Sequence, residues 1–263
     1  MKLSIIIPCY NEESTLKKLL EHLFKVQFPI EREIIVIDDG SARNHKEFIK
    51  EEINSNKISF IRLPQNQGKG FAIRVGLKYA SGDVFINQDA DFEYIPSDIP
   101  KLLNPILKNK ANVVYGTRFA TRPKFMSKSH YLANIVLTKI ANFIYHTNLT
   151  DMETGYKLFT KKVLSKIKLN ARQFEFDPEI TSKIILSGFK IHEIPIQYKY
   201  RDFSDSKINW LDGVECLFIL LQQRFCPKSN LYQFIYEIFK YHFKKIILKL
   251  TKFIAKFVYM RRV

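Results

Sequence analysis

The chain has 263 residues, 46% of them apolar, which suffices to bury a full core and excludes large-scale disorder. Its 42 Lys and Arg against 26 Asp and Glu leave a formal charge of +16, which favours an anionic partner: nucleic acid, an acidic membrane surface or a phosphorylated substrate. Half of that excess lies beyond Pro227, where nine Lys/Arg face the single Glu237, so the charge marks a specialised tail rather than a nucleic-acid-coating surface.

In chain order, Leu3 to Pro8 (LSIIIP) is a continuous apolar run of the kind found in strands buried on both faces. A helical pattern follows from Glu12 to Val26. Glu33 to Asp39 (EIIVIDD) repeats the strand signal, and Ile58 to Leu63 (ISFIRL) gives a third. Gly70 to Ala80 reads as helix, then Asp83 to Asp89 (DVFINQD) and Asn112 to Thr117 (NVVYGT) as strands. Such alternation predicts an α/β fold, a mainly parallel sheet sandwiched by helices. Ligands of these sheets sit beyond the carboxyl ends of the strands, where Asp38, Asp39, Asp89 and Asp91 all fall.

The second half is less regular. Ser127 to His146 fits one helix, and Phe176 to Gly188 another, with Asp177 as N-cap, Pro178 in the first turn and Gly188 just past the end. Glu193 to Arg201 alternates as an exposed strand does. In the tail, Phe239, Phe243, Ile246, Leu250, Phe253 and Phe257 form one helical stripe opposite Lys245, Lys249, Lys252 and Lys256. That pattern suits an interfacial membrane helix better than a helix docked on the core. Cys9, Cys216 and Cys226 have no disulfide or metal spacing and suit a reduced, cytoplasmic setting. The start of the chain does not read as a signal peptide, and no charge-free stretch is long enough for a transmembrane helix.

Asp89 and Asp91 follow a strand, and two residues apart in extended geometry they share a side. Hard oxygen ligands of this kind suit Mg²⁺ or Mn²⁺ bridging to phosphate, with Glu93 as a further ligand. Asp39 can accept hydrogen bonds from a ribose or base, while Ser41 or Asn44 caps the next helix. Asn66 to Gly70 (NQGKG), with Lys69, resembles an anion cradle at a helix N-terminus but lacks P-loop or Rossmann spacing.

These segments together resemble the family-2 glycosyltransferases. SIIIPCYNEE, EIIVIDDGS, NQGKGFAIRVGLKYASGD, the DAD of NQDADFEY, and YGTR (Tyr115 to Arg118) occur in that family's order. TDMETGYKLF (Thr150 to Phe159), FEFDPEI (Phe174 to Ile180) and RDFSDSKINWLDG (Arg201 to Gly213) are similar to the dolichyl-phosphate mannosyltransferase-like branch, the polyprenyl-phosphate hexose synthases. The resemblance implies a GT-A domain over residues 1–226, followed by a basic amphipathic, membrane-associating tail over 227–263. It implies inverting transfer of a hexose, mannose or glucose, from a nucleotide-diphospho-sugar such as GDP-mannose or UDP-glucose to a polyprenyl phosphate at a cytoplasmic membrane face. By motif position Pro8, Tyr10 and Glu12 line the base and ribose, with Ile37 and Asp39 opposite and Lys69 and Ala90 in the donor site. Asp89, Asp91 and Glu93 then hold the metal and diphosphate, Arg118, Arg201 and Lys207 meet phosphates, and Asp151 lies nearest the transfer centre. Catalytic weight falls on Asp89, Asp91, Asp151 and Arg201. The competing reading is transfer to a sugar hydroxyl of a cell-surface glycan, which needs a general base such as Asp151. A nucleic-acid partner is disfavoured, since no motif for one is present.

Overall fold

The computed structural model describes residues 1–119, 128–199 and 210–226. In chain order the elements are β1 (Lys2–Cys9), α1 (Glu13–Lys25), β2 (Glu31–Asp38), α2 (Lys50–Asn54), β3 (Ser59–Arg62), α3 (Lys69–Tyr79) and β4 (Val84–Asn87). They continue with α4 (Ile99–Leu107), β5 (Val113–Thr117), α5 (Lys128–Tyr145), β6 (Lys157–Thr160), α6 (Lys161–Leu164), α7 (Phe176–Leu186), β7 (His192–Pro195) and α8 (Trp210–Phe225). The strands and helices expected within these residues are present, with ends moved by a few residues, except that the strand expected from Glu193 is confined to His192–Pro195 with an isolated bridge at Tyr198.

The strands form one seven-stranded sheet in the order β3-β2-β1-β4-β6-β5-β7. All run parallel except β6, which is antiparallel to both β4 and β5. Strand alternation divides the core. Leu3, Ile5 and Ile7 of β1 and Ile34 and Val36 of β2 face one way, onto Leu16, Leu19, Leu20 and Leu23 of α1 and Leu102, Leu103 and Ile106 of α4. Ile35 and Ile37 face the other way onto Ala72 of α3, and Phe85, Tyr115 and Phe159 onto Ile180 and Ile184 of α7. Each of these fully buried aliphatic side chains contributes about 1.5–3 kcal/mol, so two helical layers clamp the sheet from both sides.

The short strand β6 is missing from the sequence reading, and it matters for the site. Because it runs against the others, the segment preceding it, not the one following it, reaches the edge where the parallel strands end. Residues 150–156 therefore join Asp38, Asp89 and Arg118 there. A second difference is at α7: the helix starts at Phe176, so Asp177 lies inside its first turn, and its carboxylate pairs with Lys157 instead of capping backbone. Gly188, with φ +81, does terminate the chain's turn after α7 as expected. Among the described residues no helix is long and apolar enough to cross a membrane. The tail beyond Cys226 lies outside the described residues.

Candidate active site

The β2 end carries two adjacent aspartates with different fates. Asp38 is fully buried; its Oδ1 accepts from Ser41 N at 3.0 Å, and its Oδ2 lies 3.4 Å from His45 Nδ1. His45, also fully buried, accepts from Glu12 N through Nε2 at 3.2 Å, so its proton is assigned to Nδ1, facing Asp38. Burial opposes ionisation of Asp38, but His45 and Ser41 outweigh it and hold its pKa below the ordinary carboxylate value. Cys9, Asp38 and His45 bring ligand-type atoms within 4.8 Å of one another. His45 Nε2 fixes the Glu12 main chain at the start of α1 and Asp38 Oδ1 fixes Ser41, while the facing atoms Asp38 Oδ2 and His45 Nδ1 make no hydrogen bond among the described residues. The expected helix cap is present too, since Asn44 accepts from Lys46 N at 3.1 Å.

Asp39 turns the other way. Its two carboxylate oxygens accept from Gln67 N and Gly68 N, each at 2.8 Å. Burial raises its pKa above the ordinary value, although those two N–H groups pull against the rise. Gly68 needs its φ of +99 for this turn, and a Cβ there would collide with the Arg172 carbonyl. The first free N–H groups of α3 are also taken, Gly70 N by Gln173 O at 3.3 Å and Phe71 N by Arg172 O at 2.9 Å. The NQGKG turn is thus an anion cradle whose anion is internal, the Asp39 carboxylate.

Lys69 reaches away from that turn to Asp89, with Nζ 2.8 Å from Oδ1 and 3.0 Å from Oδ2. Burial opposes the lysine's charge, but Asp89 outweighs it and keeps its pKa raised. Across from it, a Cβ on Gly155 would lie 2.7 Å from Asp89 Oδ2 and from the Tyr94 ring, so only glycine lets the 150–156 segment approach. Gly155 N donates to Tyr94 Oη at 2.6 Å and Asn87 Nδ2 donates to Gly155 O at 2.6 Å, which locks that approach. Asp91 Oδ1 accepts from Glu93 N at 3.1 Å, and Phe92 between them takes φ +64, so the DAD turn is tight. Tyr198 Oη donates to Glu93 Oε2 at 2.6 Å. Asp89, Asp91 and Glu93 offer hard oxygen donors of the type Mg²⁺ or Mn²⁺ takes, and Asp89 already holds a cation, Lys69.

Beyond β5, Arg118 grips Asp151 with two bonds of 2.7 Å, from Nε to Oδ2 and from Nη2 to Oδ1. Arg118 N adds a third to Oδ2 at 3.0 Å, and Nη2 also donates to Asn134 Oδ1 of α5 at 3.2 Å. Nη1 makes no hydrogen bond among the described residues. The guanidinium lies 5.3 Å from the Tyr198 ring centre and 5.1 Å from that of Phe119. Burial works against its charge, but Asp151 outweighs it and raises its pKa well above the usual value. Glu193 of β7 holds the same segment by accepting from Thr150 N at 2.7 Å and Asp151 N at 3.0 Å. Lys157, fully buried in β6, donates to Asp177 and to the Thr154 carbonyl.

Of the sequence-derived residues, Tyr10 (37% exposed), Glu12, Asp39, Lys69, Asp89, Asp91, Glu93, Arg118 and Asp151 gather along one edge of the sheet. Pro8 is buried in β1 at that edge. Ile37 and Ala90, expected to touch substrate, instead have side chains inside the core, Ile37 against Leu63 and Ala72, Ala90 with Tyr94. Arg201 and Lys207 lie outside the described residues. The sequence reading passed over His45, Glu153 and Lys157. A lysine in the apolar strand KLFT was the available signal, because buried lysines require a partner.

A mixed sheet of this order, with helices on both faces and carboxylates at its β4 end, is a GT-A-type architecture. The crystal structure of glucosyl-3-phosphoglycerate synthase from Mycobacterium tuberculosis, solved with Mn²⁺, UDP and glucosyl-3-phosphoglycerate, has the same fold: TM-score 0.66 at 16% identity, covering 87% of this chain and 82% of that one. Residues 4–168 match the model of glycosyl transferase family 2, and the chain belongs to that family. The chain is 31% identical over 218 residues to a dolichol-phosphate mannosyltransferase of Pyrococcus furiosus, covering 79% of this chain and 59% of that protein. It is 30% identical over 239 residues to the UDP-N-acetylglucosamine–dolichyl-phosphate N-acetylglucosaminyltransferase of Methanococcus voltae, covering 82% of this chain and 94% of the relative.

Proposed function

We propose that this protein moves a hexose, mannose or glucose, from GDP-mannose or UDP-glucose to a polyprenyl phosphate, with inversion, at the cytoplasmic face of a membrane. The observation that carries this reading is the state of Asp151. A sugar hydroxyl must lose its proton to a general base on attack. Asp151, the carboxylate nearest the transfer centre by motif position, has both oxygens tied to Arg118. A phosphate monoester is ionised near neutral pH and needs positioning and positive charge instead of a base.

Arg118 meets that need. Asp151 and Asn134 fix its plane while Nη1 makes no hydrogen bond among the described residues, and Arg201 and Lys207 are proposed to add charge beside it. Asn134 also links Arg118 to α5, whose Leu132, Val136 and Phe143 are 61%, 45% and 82% exposed. An apolar helix surface next to a phosphate-binding arginine suits an acceptor whose headgroup emerges from a bilayer, with the basic tail beyond Pro227 adding attraction to anionic lipid. Asp89, Asp91 and Glu93 would hold Mg²⁺ or Mn²⁺, which supplies charge for the leaving nucleoside diphosphate. Tyr10, Glu12 and Asp39 would receive the nucleoside. In the transfer, an acceptor phosphate oxygen bonds to the anomeric carbon as that carbon's bond to the diphosphate breaks.

The test is a panel of radiolabelled nucleotide sugars incubated with the protein, the metal and a polyprenyl phosphate. Label should enter the organic phase with one or two of the donors. Label that enters only a water-soluble glycan would support hydroxyl transfer instead.

A further inference from the structure

The 150–156 segment holds one acid that nothing yet described uses. Glu153 is half-buried, and its Oε1 is buried with no hydrogen-bond partner among the described residues. Asp151 is bound to Arg118 on one side, and Lys157 is bound to Asp177 on the other. The two cations that act on Glu153, Lys157 and Arg118, are thus already paired, and neither forms an ion pair with it among the described residues. A buried carboxylate without a partner is costly, and a proton on it lowers that cost. Burial accordingly pushes its pKa up to about 7, with Asp177 and Asp151 adding to the rise and Lys157 and Arg118 opposing it.

We propose that Glu153 meets a phosphoryl oxygen of bound substrate, donating a hydrogen bond to it from a neutral carboxyl. The location supports this, because the segment that carries Glu153 also brings Gly155 against Asp89 and Asp151 against Arg118. These are the two ends of the proposed phosphate path, and the inference rests on that reading of the site. An orphaned acid is a poor neighbour for a phosphate when ionised and a good one when protonated. The oxygen belongs either to the donor's diphosphate or to the acceptor's monophosphate.

The test uses the full chain with its divalent metal, titrated calorimetrically with UDP or GDP in one arm and farnesyl phosphate in the other, between pH 6 and 8.5. Buffers of different ionisation enthalpy count the protons taken up. The wild type should take up a proton on binding one of the two ligands above pH 7, and its affinity for that ligand should fall as pH rises through 7. Glu153→Gln, which keeps a donor but cannot titrate, should bind that ligand with no Glu153-linked uptake and a flatter pH profile. Glu153→Ala should lose about tenfold in affinity, the size of one charge-assisted hydrogen bond. Identical proton uptake and pH dependence in wild type and Glu153→Gln would overturn the proposal. So would transfer that rises with pH through 7 and vanishes in Glu153→Gln, which is the signature of a general base. These binding arms report on Glu153 whether or not label reaches a polyprenyl phosphate, so the two claims fail separately.

Discussion

The two halves of the sheet hold their carboxylates by different means. On the β1–β3 side, Asp39 is met by main-chain N–H groups, and Asp38 by one main-chain N–H, with His45 Nδ1 at 3.4 Å and Arg62 Nε at 3.8 Å from its other oxygen. On the β5–β7 side, Asp151 and Asp177 are met by Arg118 and Lys157, and Glu153 Oε1 has no partner among the described residues. Main-chain donors come with the fold and cannot be lost by substituting a partner side chain. Cationic partners can, and each removal strands a buried charge. On the proposed reading, the Asp39 turn would hold the uncharged nucleoside part of the donor, and the ion-paired side would meet the anionic acceptor.

Asp91→Ala acts at the seam between the halves and should have the largest effect. Transfer should fall about a thousandfold or more, the scale of a lost metal contribution, with circular dichroism and melting unchanged. Undiminished turnover would remove Asp91 from the metal site. On the ion-paired side, Lys157→Met should cost about 3–5 kcal/mol in urea unfolding, because Asp177 is left charged and buried. The double variant Lys157→Met/Asp177→Leu should recover most of that loss; a double variant as unstable as the single would refute the pairing argument. On the backbone-held side, Asp39→Asn should cost less, about 1–3 kcal/mol, since one N–H of the 67–68 turn loses its acceptor. Equal losses at Asp39 and Lys157 would erase the contrast.

The smallest effect is one of pH, and its sign differs between the halves. Burial opposes ionisation of Glu33 in β2, but Ser4, Lys2 and Ser81 outweigh it and bring its pKa down to about 2. Its contribution is therefore present above the ordinary glutamate pKa and lost as pH falls towards 2. Glu153 has its pKa raised, so its contribution is present in acid and lost as pH rises through about 7. Thermal melts should show Glu33→Gln less stable than wild type at pH 7. Glu153→Gln should be more stable than wild type at pH 8.5 and equal to it below about pH 4, under the unfolded glutamate pKa. The same sign for both variants at high pH would contradict the assignment of Glu153 as a neutral acid.

The same contrast explains what was legible in the sequence. The long apolar runs of β1 and β2 and the acids that follow β2 and β4 announce themselves locally, because strand burial and strand ends are properties of a few neighbouring residues. Asp177 was read as a cap for the same local reason, yet its partner, Lys157, stands twenty positions earlier. Arg118 and Asp151 are separated by 33 positions and meet only because β6 runs antiparallel, and a four-residue strand leaves too little pattern to detect. The NQGKG turn was recognised as an anion cradle, but the identity of its anion depends on β2 lying beside β3. Pairings made by topology are invisible until the topology is known.

The central claim is that the acceptor's own charge replaces a general base. It is tested most directly by offering the protein, with metal and its preferred labelled donor, a polyprenyl phosphate and the corresponding polyprenol side by side. Label should pass to the phosphate and not to the alcohol, at a rate that survives substitution of Asp151 better than that of Arg118. Transfer to the polyprenol, or to a sugar hydroxyl with the phosphate left unused, would contradict it.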